Sequence, residues 1–322
     1  MLLVLADPLN ASILRLLARG PLPVPELPNH LGPTSRTTRF SRLRELEGLG
    51  LIVREKEGGS PPITRCMLTK AGHALLPVAR LLRRWLREKP SGTQGAGELF
   101  GTPETKALAV GWNSTAIRWL AERPCSLTEL DAQSPPEVSY HEARKARQAL
   151  SETGLIAPVP SGDRRQPYAP TEWARRMAGA LAAAIRWERD FLVEGVSAPT
   201  AVEAEALLLL LAPLIDPLPR GLNGECSLGL DDLGGVSMTV RRGRVASCAP
   251  GSSENAESGI SGSLTAWLEA LVEGKTAGLR MRGEIQLTTA IAERLRSAGC
   301  DLRSQVSSGV HMDEFPRSTY II

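Results

Sequence analysis

Basic and short polar side chains recur at helical spacing between residues 35 and 49. The candidate DNA contacts in this stretch are Arg36, Thr37, Thr38, Arg39 and Arg42. An arginine side chain forks onto guanine O6 and N7 or onto a phosphate, and a threonine hydroxyl can reach either group. Phe40, Leu43 and Leu46 share another face of the same predicted helix. The pattern therefore predicts a helix that rests on a core and presents its basic side to the DNA major groove.

The elements that must position this helix follow from the flanking sequence. The pattern predicts helices over 11–18 and 24–31, strands over 51–54 and 63–68, and a closing helix over 70–88. Helix, helix, turn, helix and a two-stranded wing is the order of a winged helix-turn-helix. The wing carries Arg54, Lys56 and Arg65, which are candidate contacts to the DNA phosphates.

The same pattern recurs about 103 residues later. The stretch Asn10–Ala18 aligns with Asn113–Ala121, and Gly50-Leu51-Ile52 aligns with Gly154-Leu155-Ile156. A period this long indicates two copies of one domain rather than a solenoid. The candidate DNA contacts of the second copy are Tyr140, His141, Arg144, Lys145, Arg164 and Arg165. Two interpretations stay open: both copies bind DNA, or the second copy is a pseudo-dimer partner with little base contact.

The first copy resembles a known family. The residues that carry the resemblance are the run Arg42–Ile52, then Pro61-Pro62, then Met67–Pro77. Together they are similar to the HxlR-type family of bacterial winged-helix regulators, over roughly residues 5–88. The sequence departs from the family pattern at Cys66, where a tyrosine is usual, and at Leu9, where a tryptophan is usual. The resemblance implies DNA binding and dimerisation through the terminal helices.

After Pro217 the pattern changes to an α+β arrangement with antiparallel hairpins. The run from Ile260 to Lys275, with Leu279–Ile285 after it, resembles the sterol-carrier-protein domain over about residues 201–298. That resemblance implies a curved sheet and helices around an apolar tunnel. The apolar side chains that could line it are Leu207, Leu211, Leu264, Trp267, Leu268, Leu271 and Ile285. The alternative is that these side chains only form the core.

Charge and cysteine content narrow the function. Residues 1–97 carry 15 Lys and Arg against 7 Asp and Glu, whereas the rest of the chain is slightly acidic. The first third is therefore the candidate for a polyanionic partner. Five cysteines without a C-x-x-C pair indicate a reducing cytoplasm, and the longest apolar run, Ala206–Ile215, is too short for a membrane span.

No enzyme signature is complete. Gly274-Lys275-Thr276 lacks the glycine that a phosphate-binding loop needs five residues before its last glycine, where Glu269 stands. The four histidines lack the spacing of metal ligands. The sequence thus predicts a protein that is not an enzyme and that has no cofactor or metal.

The predicted fold class is α+β and mainly helical, with two tandem winged helix-turn-helix domains and an α+β sterol-carrier-like domain. The predicted boundaries are 1–92, 98–195 and 200–303, with a tail over 304–322. The expected function is a cytoplasmic transcription regulator that binds double-stranded DNA as an intramolecular pseudo-dimer or homodimer. An apolar small-molecule effector would modulate it, without a membrane partner. The alternative is a lipid or small-molecule carrier whose winged domains mediate protein contacts.

Overall fold

The structure is a computed structural model, which describes residues 2–27, 31, 34–58, 63–90, 102–109, 111–133, 139–160, 166–192, 201–231, 233–251 and 256–307. The predicted linker over 92–97, the predicted wing contacts Arg164 and Arg165, and the tail beyond residue 307 lie outside these residues. The described elements form three successive units.

The first unit has the order predicted for a winged helix-turn-helix. Its elements are α1 (Leu2–Ala6), α2 (Pro8–Leu17), β1 (Leu22–Pro23), a 3-10 turn (Val24–Glu26), α3 (Arg36–Gly48), β2 (Ile52–Glu57), β3 (Ile63–Leu68) and α4 (Lys70–Arg87). The three strands pair in the antiparallel order β1-β3-β2. Local chemistry sets the helix starts, because the side chains of Asp7, Ser35 and Thr69 each accept a hydrogen bond from an unpaired N–H of the first turn.

The second unit has a similar succession of elements, with a helix in place of the 3-10 turn and two helices at its end. They are α5 (Pro103–Ala109), α6 (Gly111–Glu122), α7 (Leu127–Gln133), α8 (Tyr140–Glu152), β4 (Ile156–Pro158), β5 (Tyr168–Pro170), α9 (Glu172–Arg175) and α10 (Ala178–Phe191). Its two strands are half the length of those in the first wing. A bridge from Cys125 to Tyr168 stands where β1 pairs with β3 in the first unit.

The hydrogen bonds that follow the end of α3 recur after the end of α8. Gly50 and Gly154 both adopt a positive φ, of 68° and 76°, which suits glycine at a helix C-terminus. The hydroxyl of Thr69 then donates to the Gly50 carbonyl, and the hydroxyl of Thr171 donates to the Gly154 carbonyl. The aligned residues therefore adopt the same local structure.

The two units meet along their terminal helices. Helix α4 packs against α10, and α1 packs against α5. The rings of Trp85 and Trp173 stack in parallel with their centroids 4.4 Å apart. The indole N–H of each donates to the backbone carbonyl of the other, at 2.7 Å in both directions. Trp187 donates to the carbonyl of Ala71 at 2.9 Å. At the offset that aligns Thr69 with Thr171, Trp187 aligns with Trp85 and Ala71 with Trp173, so aligned residues make equivalent contacts across this seam.

The third unit is a five-stranded mixed sheet with helices. Its elements are α11 (Ala201–Leu211), a 3-10 turn (Ala212–Ile215), β6 (Gly224–Leu230), β7 (Gly234–Arg241), β8 (Arg244–Pro250), β9 (Ser258–Gly262), α12 (Leu264–Glu273), β10 (Arg280–Arg282) and α13 (Ile285–Ser307). The strand order is β10-β9-β6-β7-β8, and β6 runs parallel to β9 while the other pairs are antiparallel. The resemblance of this region to the sterol-carrier-protein domain stays a prediction.

The third unit packs on both of the first two units. Helix α11 contacts α6 and α10, and α13 contacts α4. Arg186 of α10 forms an ion pair with Glu273 of α12. One continuous set of buried apolar side chains runs through all three units. The third unit therefore contacts the same helices that form the seam between the first two units, and a change in its packing can reach that seam.

One prediction about a helix needs correction. The sequence pattern over Trp173–Glu194 predicts one long helix, but the described chain is divided at Arg176 and Met177 into α9 and α10. Trp173, in α9, is held by its hydrogen bonds with Trp85, and a turn separates α9 from α10. Helix α13 continues to Ser307, and the predicted domain boundary at residue 304 stays a prediction.

Candidate nucleic-acid interface

Helix α3 is held to the core of the first unit by two side chains. Leu43 and Leu46 are 3% and 0% exposed, and they lie three residues apart on the inner face of the helix. Their burial fixes which side of α3 faces the solvent. That exposed side includes Arg36, Thr37 and Arg44.

Two arginines on α3 have no carboxylate partner among the described residues. The guanidinium of Arg36 lies over the ring of Phe40, 5.6 Å from its centroid, and makes no ion pair there. Arg44 is exposed and likewise unpaired within the described parts of the chain. Arg44 is missing from the residues predicted as DNA contacts, although its basic character and helical position were available from the sequence. Both guanidinium groups are free to meet a phosphate or a base edge.

Three other predicted contacts on α3 are engaged within the protein. Arg42 pairs with Asp7 at 2.7 Å and with Glu45 at 2.6 Å, and these carboxylates raise its pKa. Arg39 is half-buried and donates to the backbone carbonyl of Thr34. The hydroxyl of Thr38 lies 2.7 Å from that of the capping residue Ser35. A contact of Arg42 or Arg39 with DNA would require these interactions to open, so both contacts stay predictions.

The wing of the first unit contains one free cation and two paired ones within its described residues. Arg54 donates from Nε to Glu47 at 3.0 Å, and this bond lowers the pKa of Glu47. Arg65 pairs with Glu57 at 2.5 Å. Lys56 is exposed, two residues beyond Arg54 on the same strand, and none of the described carboxylates pairs with it. Lys56 is therefore the wing residue best placed for a phosphate.

Helix α8 of the second unit exposes a different set of side chains. Ala143, Ala146 and Leu150 are buried, while Tyr140, His141, Arg144 and Lys145 face the solvent. Tyr140 is 55% exposed, which is unusual for a large aromatic side chain. This helix thus offers two cations, an imidazole and a phenol where α3 offers arginine and threonine.

A carboxylate also stands at the first turn of α8. Glu142 accepts from the backbone N–H of Ser139 at 2.8 Å, while the N–H of Glu142 donates to the Ser139 hydroxyl at 3.3 Å. This reciprocal pair is a capping box, and its hydrogen bonds lower the pKa of Glu142. The negative charge would face an approaching phosphate backbone. The matching position of α3 is Thr38, which is uncharged.

The seven apolar residues predicted to line a ligand tunnel do not all lie around one space. Leu207, Trp267 and Leu268 are fully buried, and the indole of Trp267 donates to the Gly229 carbonyl of the sheet at 2.8 Å. These three side chains therefore pack the helices onto the sheet. Leu264 is half-buried against the same core.

The other three residues predicted to line this tunnel lie at two further places. Ile285 is 77% exposed, so the prediction that it lines an apolar tunnel is not met: it lies in the first turn of α13 and points to solvent. Leu211 and Leu271 line a cleft between the third unit and the first two units.

Four cysteine side chains are described, three of them buried and that of Cys248 half-buried. Burial raises the pKa of Cys66 to about 11 and that of Cys226 to about 12. Cys66, Cys125, Cys226 and Cys248 are all free thiols. Among the described residues no three His, Cys, Asp or Glu side chains are grouped as metal ligands. No helix in the described part of the chain is long and apolar enough to cross a membrane.

The order of elements, the exposed third helix and the antiparallel wing define the first unit as a winged helix-turn-helix. Residues 4–92 match the HxlR-like helix-turn-helix family. The chain is also similar to a solved structure described as the redox regulator HypR in its oxidized form, with 22% sequence identity and a TM-score of 0.26. That similarity covers 28% of this chain and 94% of the other. No curated protein matches the chain.

Proposed function

We propose that this protein is a DNA-binding transcription regulator in which both winged units bind one operator. The observation that carries the proposal is the outer face of α3, where Arg36 and Arg44 are exposed and unpaired among the described residues. Leu43 and Leu46 anchor the opposite face, so the helix is presented rigidly. A rigid helix with free guanidinium groups suits the major groove. The match of residues 4–92 to the HxlR-like helix-turn-helix family supports the same function.

The second unit is proposed to be a copy of the first. The repeated order of elements and the matching Thr69 and Thr171 hydrogen bonds support this. Trp85 donates to the carbonyl of Trp173, and the aligned residue Trp187 donates to the carbonyl of the aligned residue Ala71, which supports a pseudo-twofold pairing through the terminal helices. Such a seam is the intramolecular counterpart of an isologous dimer interface. One chain would then carry both recognition helices of an ordinary dimer.

The third unit is proposed to sense a small, largely apolar molecule. Its helices contact α4 of the first unit and α6 and α10 of the second. A ligand that favours one packing of these helices would shift the arrangement of the winged pair, and thereby the affinity for DNA. The sign of this regulation depends on which arrangement fits the operator.

The proposal is tested by DNA binding. Genomic fragments retained by the full-length protein would be sequenced, and the affinity for a selected fragment measured by fluorescence anisotropy over a range of salt concentrations. A regulator that neutralises several phosphates loses affinity steeply with salt. Lys56→Ala should flatten the slope of log K against log salt by about one unit, because one phosphate contact is lost.

The matched control is Lys275→Ala, which removes an exposed lysine of the third unit that is paired with Glu273. It should leave the slope unchanged. Absence of any DNA binding by the folded protein, together with tight binding of lipids, would instead favour a carrier.

A further inference from the structure

A cleft of about 310 Å³ opens where the third unit meets the two winged units. Its walls come from α4 through Trp85, from α10 through Ala180, from the end of α11 through Leu211, and from α12 through Leu271. The fifth wall is α13. All three units therefore contribute to one open space, whose volume falls at the lower end of the range for small-molecule sites.

The floor of the cleft is apolar. Trp85, Leu211, Leu271 and Leu295 are each no more than 6% exposed. The start of α10 supplies three small residues in succession, at positions 178–180, and their lack of bulk leaves room for a ligand. An apolar molecule that entered would displace water from this surface, which is favourable in proportion to the area covered.

The rim of the cleft carries more cations than anions. Arg84 lines it and pairs with Glu88 at 3.0 Å, and Arg176 lines it and pairs with Glu172. Arg294 is different, because its Nε donates to the backbone carbonyl of Ile215 at 3.2 Å and none of the described carboxylates pairs with it. Its two terminal nitrogen atoms are left to meet a ligand. A half-buried guanidinium beside an apolar floor suits an anionic group with an apolar body.

The cleft shares a side chain with the seam between the winged units. Trp85 lines the cleft and also stacks on Trp173 at 4.4 Å. A molecule in the cleft would therefore contact a ring whose position is coupled to the packing of α4 against α9 and α10. Both the sensing site and the seam would be affected by the same displacement.

We propose that this cleft binds a small apolar monoanion, with the chemistry of an aromatic or medium-chain aliphatic acid, and that Arg294 is its anion contact. The proposal deepens the sensing role given above, and it rests on that role only for the effect on DNA. It places the ligand at the junction of the three units rather than around Trp267, whose space is filled by the core.

Two fluorescent probes test the proposal on the free protein. One is 1-anilinonaphthalene-8-sulfonate, an apolar anion, and the other is N-phenyl-1-naphthylamine, its uncharged counterpart. Both should bind the full-length protein, and a medium-chain carboxylate such as decanoate should displace the anion. Arg294→Gln should weaken binding of the anionic probe by about tenfold, because one hydrogen bond to a charged group is lost. The same variant should bind the uncharged probe about as well as the parent.

The matched control is Arg296→Gln, because Arg296 is exposed on the same helix and does not line the cleft. Arg296→Gln removes the same charge and should leave the affinities for both probes unchanged. Arg294→Lys keeps the charge and should retain most of the anion binding. Thermal unfolding of each variant would establish that the fold is intact.

Three results would overturn the proposal: no binding of either probe, equal binding of the anion by Arg294→Gln and the parent, or equal loss of both probes in that variant. Because the measurement contains no DNA, it is independent of the operator. Anion binding at Arg294 in a protein that binds no DNA would refute the regulator and leave the cleft site standing.

Discussion

The cationic side chains of α3 and its wing look equivalent in the sequence, but in the structure some form ion pairs and others do not. Six arginines and one lysine lie on α3 and its wing, but Arg42, Arg54 and Arg65 are paired with carboxylates. Arg36 and Lys56 have no such partner among the described residues. An unpaired cation can bind DNA without first breaking an ion pair, so the free residues should contribute most to binding.

Arg36→Ala should reduce specific DNA binding by about 1–3 kcal/mol, because a bidentate base contact or a phosphate contact is lost. The thermal midpoint should stay near that of the parent, since Arg36 is exposed and makes no ion pair within the described chain. Arg241→Ala, an exposed site on β7, is the control for overall charge. Anisotropy titration and thermal unfolding of all three proteins would measure these effects. Unchanged affinity in Arg36→Ala would show that α3 does not enter the groove.

Arg42→Ala should mainly reduce stability and should affect DNA binding less than Arg36→Ala does. It removes pairs to Asp7 and Glu45 on a partly exposed surface, so the free energy of unfolding should fall by about 0.2–1 kcal/mol. Denaturant unfolding would measure this loss. An affinity loss as large as that of Arg36→Ala, without any loss of stability, would mean that Arg42 leaves its carboxylates to bind DNA.

The buried thiols of Cys66 and Cys226 should react very slowly at pH 8, because burial raises their pKa to about 11 and about 12. A raised pKa also links stability to pH: unfolded thiols ionise near pH 9 while the folded ones stay protonated, so these groups lower stability as the pH rises from about 9. A Cys300→Ser variant titrated with a thiol reagent, with and without denaturant, would check the reactivity. Rapid native labelling of Cys66 would contradict its burial.

The start of α4 is fitted tightly against the turn before β2. A Cβ added at Gly72 would lie 2.1 Å from the backbone carbonyl oxygen of Leu51, which cannot move without disturbing its bond to the Thr69 N–H. The matching position of the second unit is Ala174, which receives the same cap from Thr171. The two units therefore share a hydrogen-bond pattern but not the same clearance between helix and turn.

Gly72→Ala should destabilise the protein by about 1–3 kcal/mol or more, since the clash outweighs the gain of about 1 kcal/mol in helix propensity. Gly48→Ala is the control, because that position is also helical and a Cβ there meets nothing within 4 Å. Gly48→Ala should be neutral or slightly stabilising. Denaturant unfolding would measure both changes. Equal stability of the two variants would show that the start of α4 can shift away from Leu51.

At the scale of the whole molecule, contacts between distant residues join the first two units. Trp85 and Trp173 exchange indole hydrogen bonds, and Lys89 beyond α4 pairs with Glu104 of α5 at 2.7 Å. The two presented helices nevertheless differ, with Arg36 and Thr37 on one and Tyr140 and His141 on the other. Different side chains should favour different bases, so the two halves of the operator should not mirror each other.

We therefore expect one chain to occupy one asymmetric site of about 20 base pairs, the length of two adjacent half-sites. Light scattering of the complex would give its stoichiometry, and a footprint would give its extent and symmetry. The half-site at α8 should tolerate more base changes, because Glu142 adds a negative charge there. A complex of two chains on a clean palindrome would show that the second unit does not bind DNA alongside the first.

The sequence by itself determined the local structure of this protein. Capping residues, glycines at helix ends and apolar spacing are signals between near neighbours, so α3, β3 and α4 begin and end within a residue or two of the predicted positions. The repeat at an offset of about 103 also came from the sequence alone. The basic face of α3 was predictable because a helix spaces its side chains regularly.

Only the tertiary structure decided which of these residues are available. The pairs between Arg42 and Asp7 and between Arg54 and Glu47 join separate elements, and no local pattern encodes them. The same holds for the seam at Trp85 and Trp173, 88 residues apart. Ile285 and Trp267 were grouped by their apolar character, but one is at the surface and the other fills the core. Burial and pairing depend on which distant elements meet, and the packing of the three units settles that.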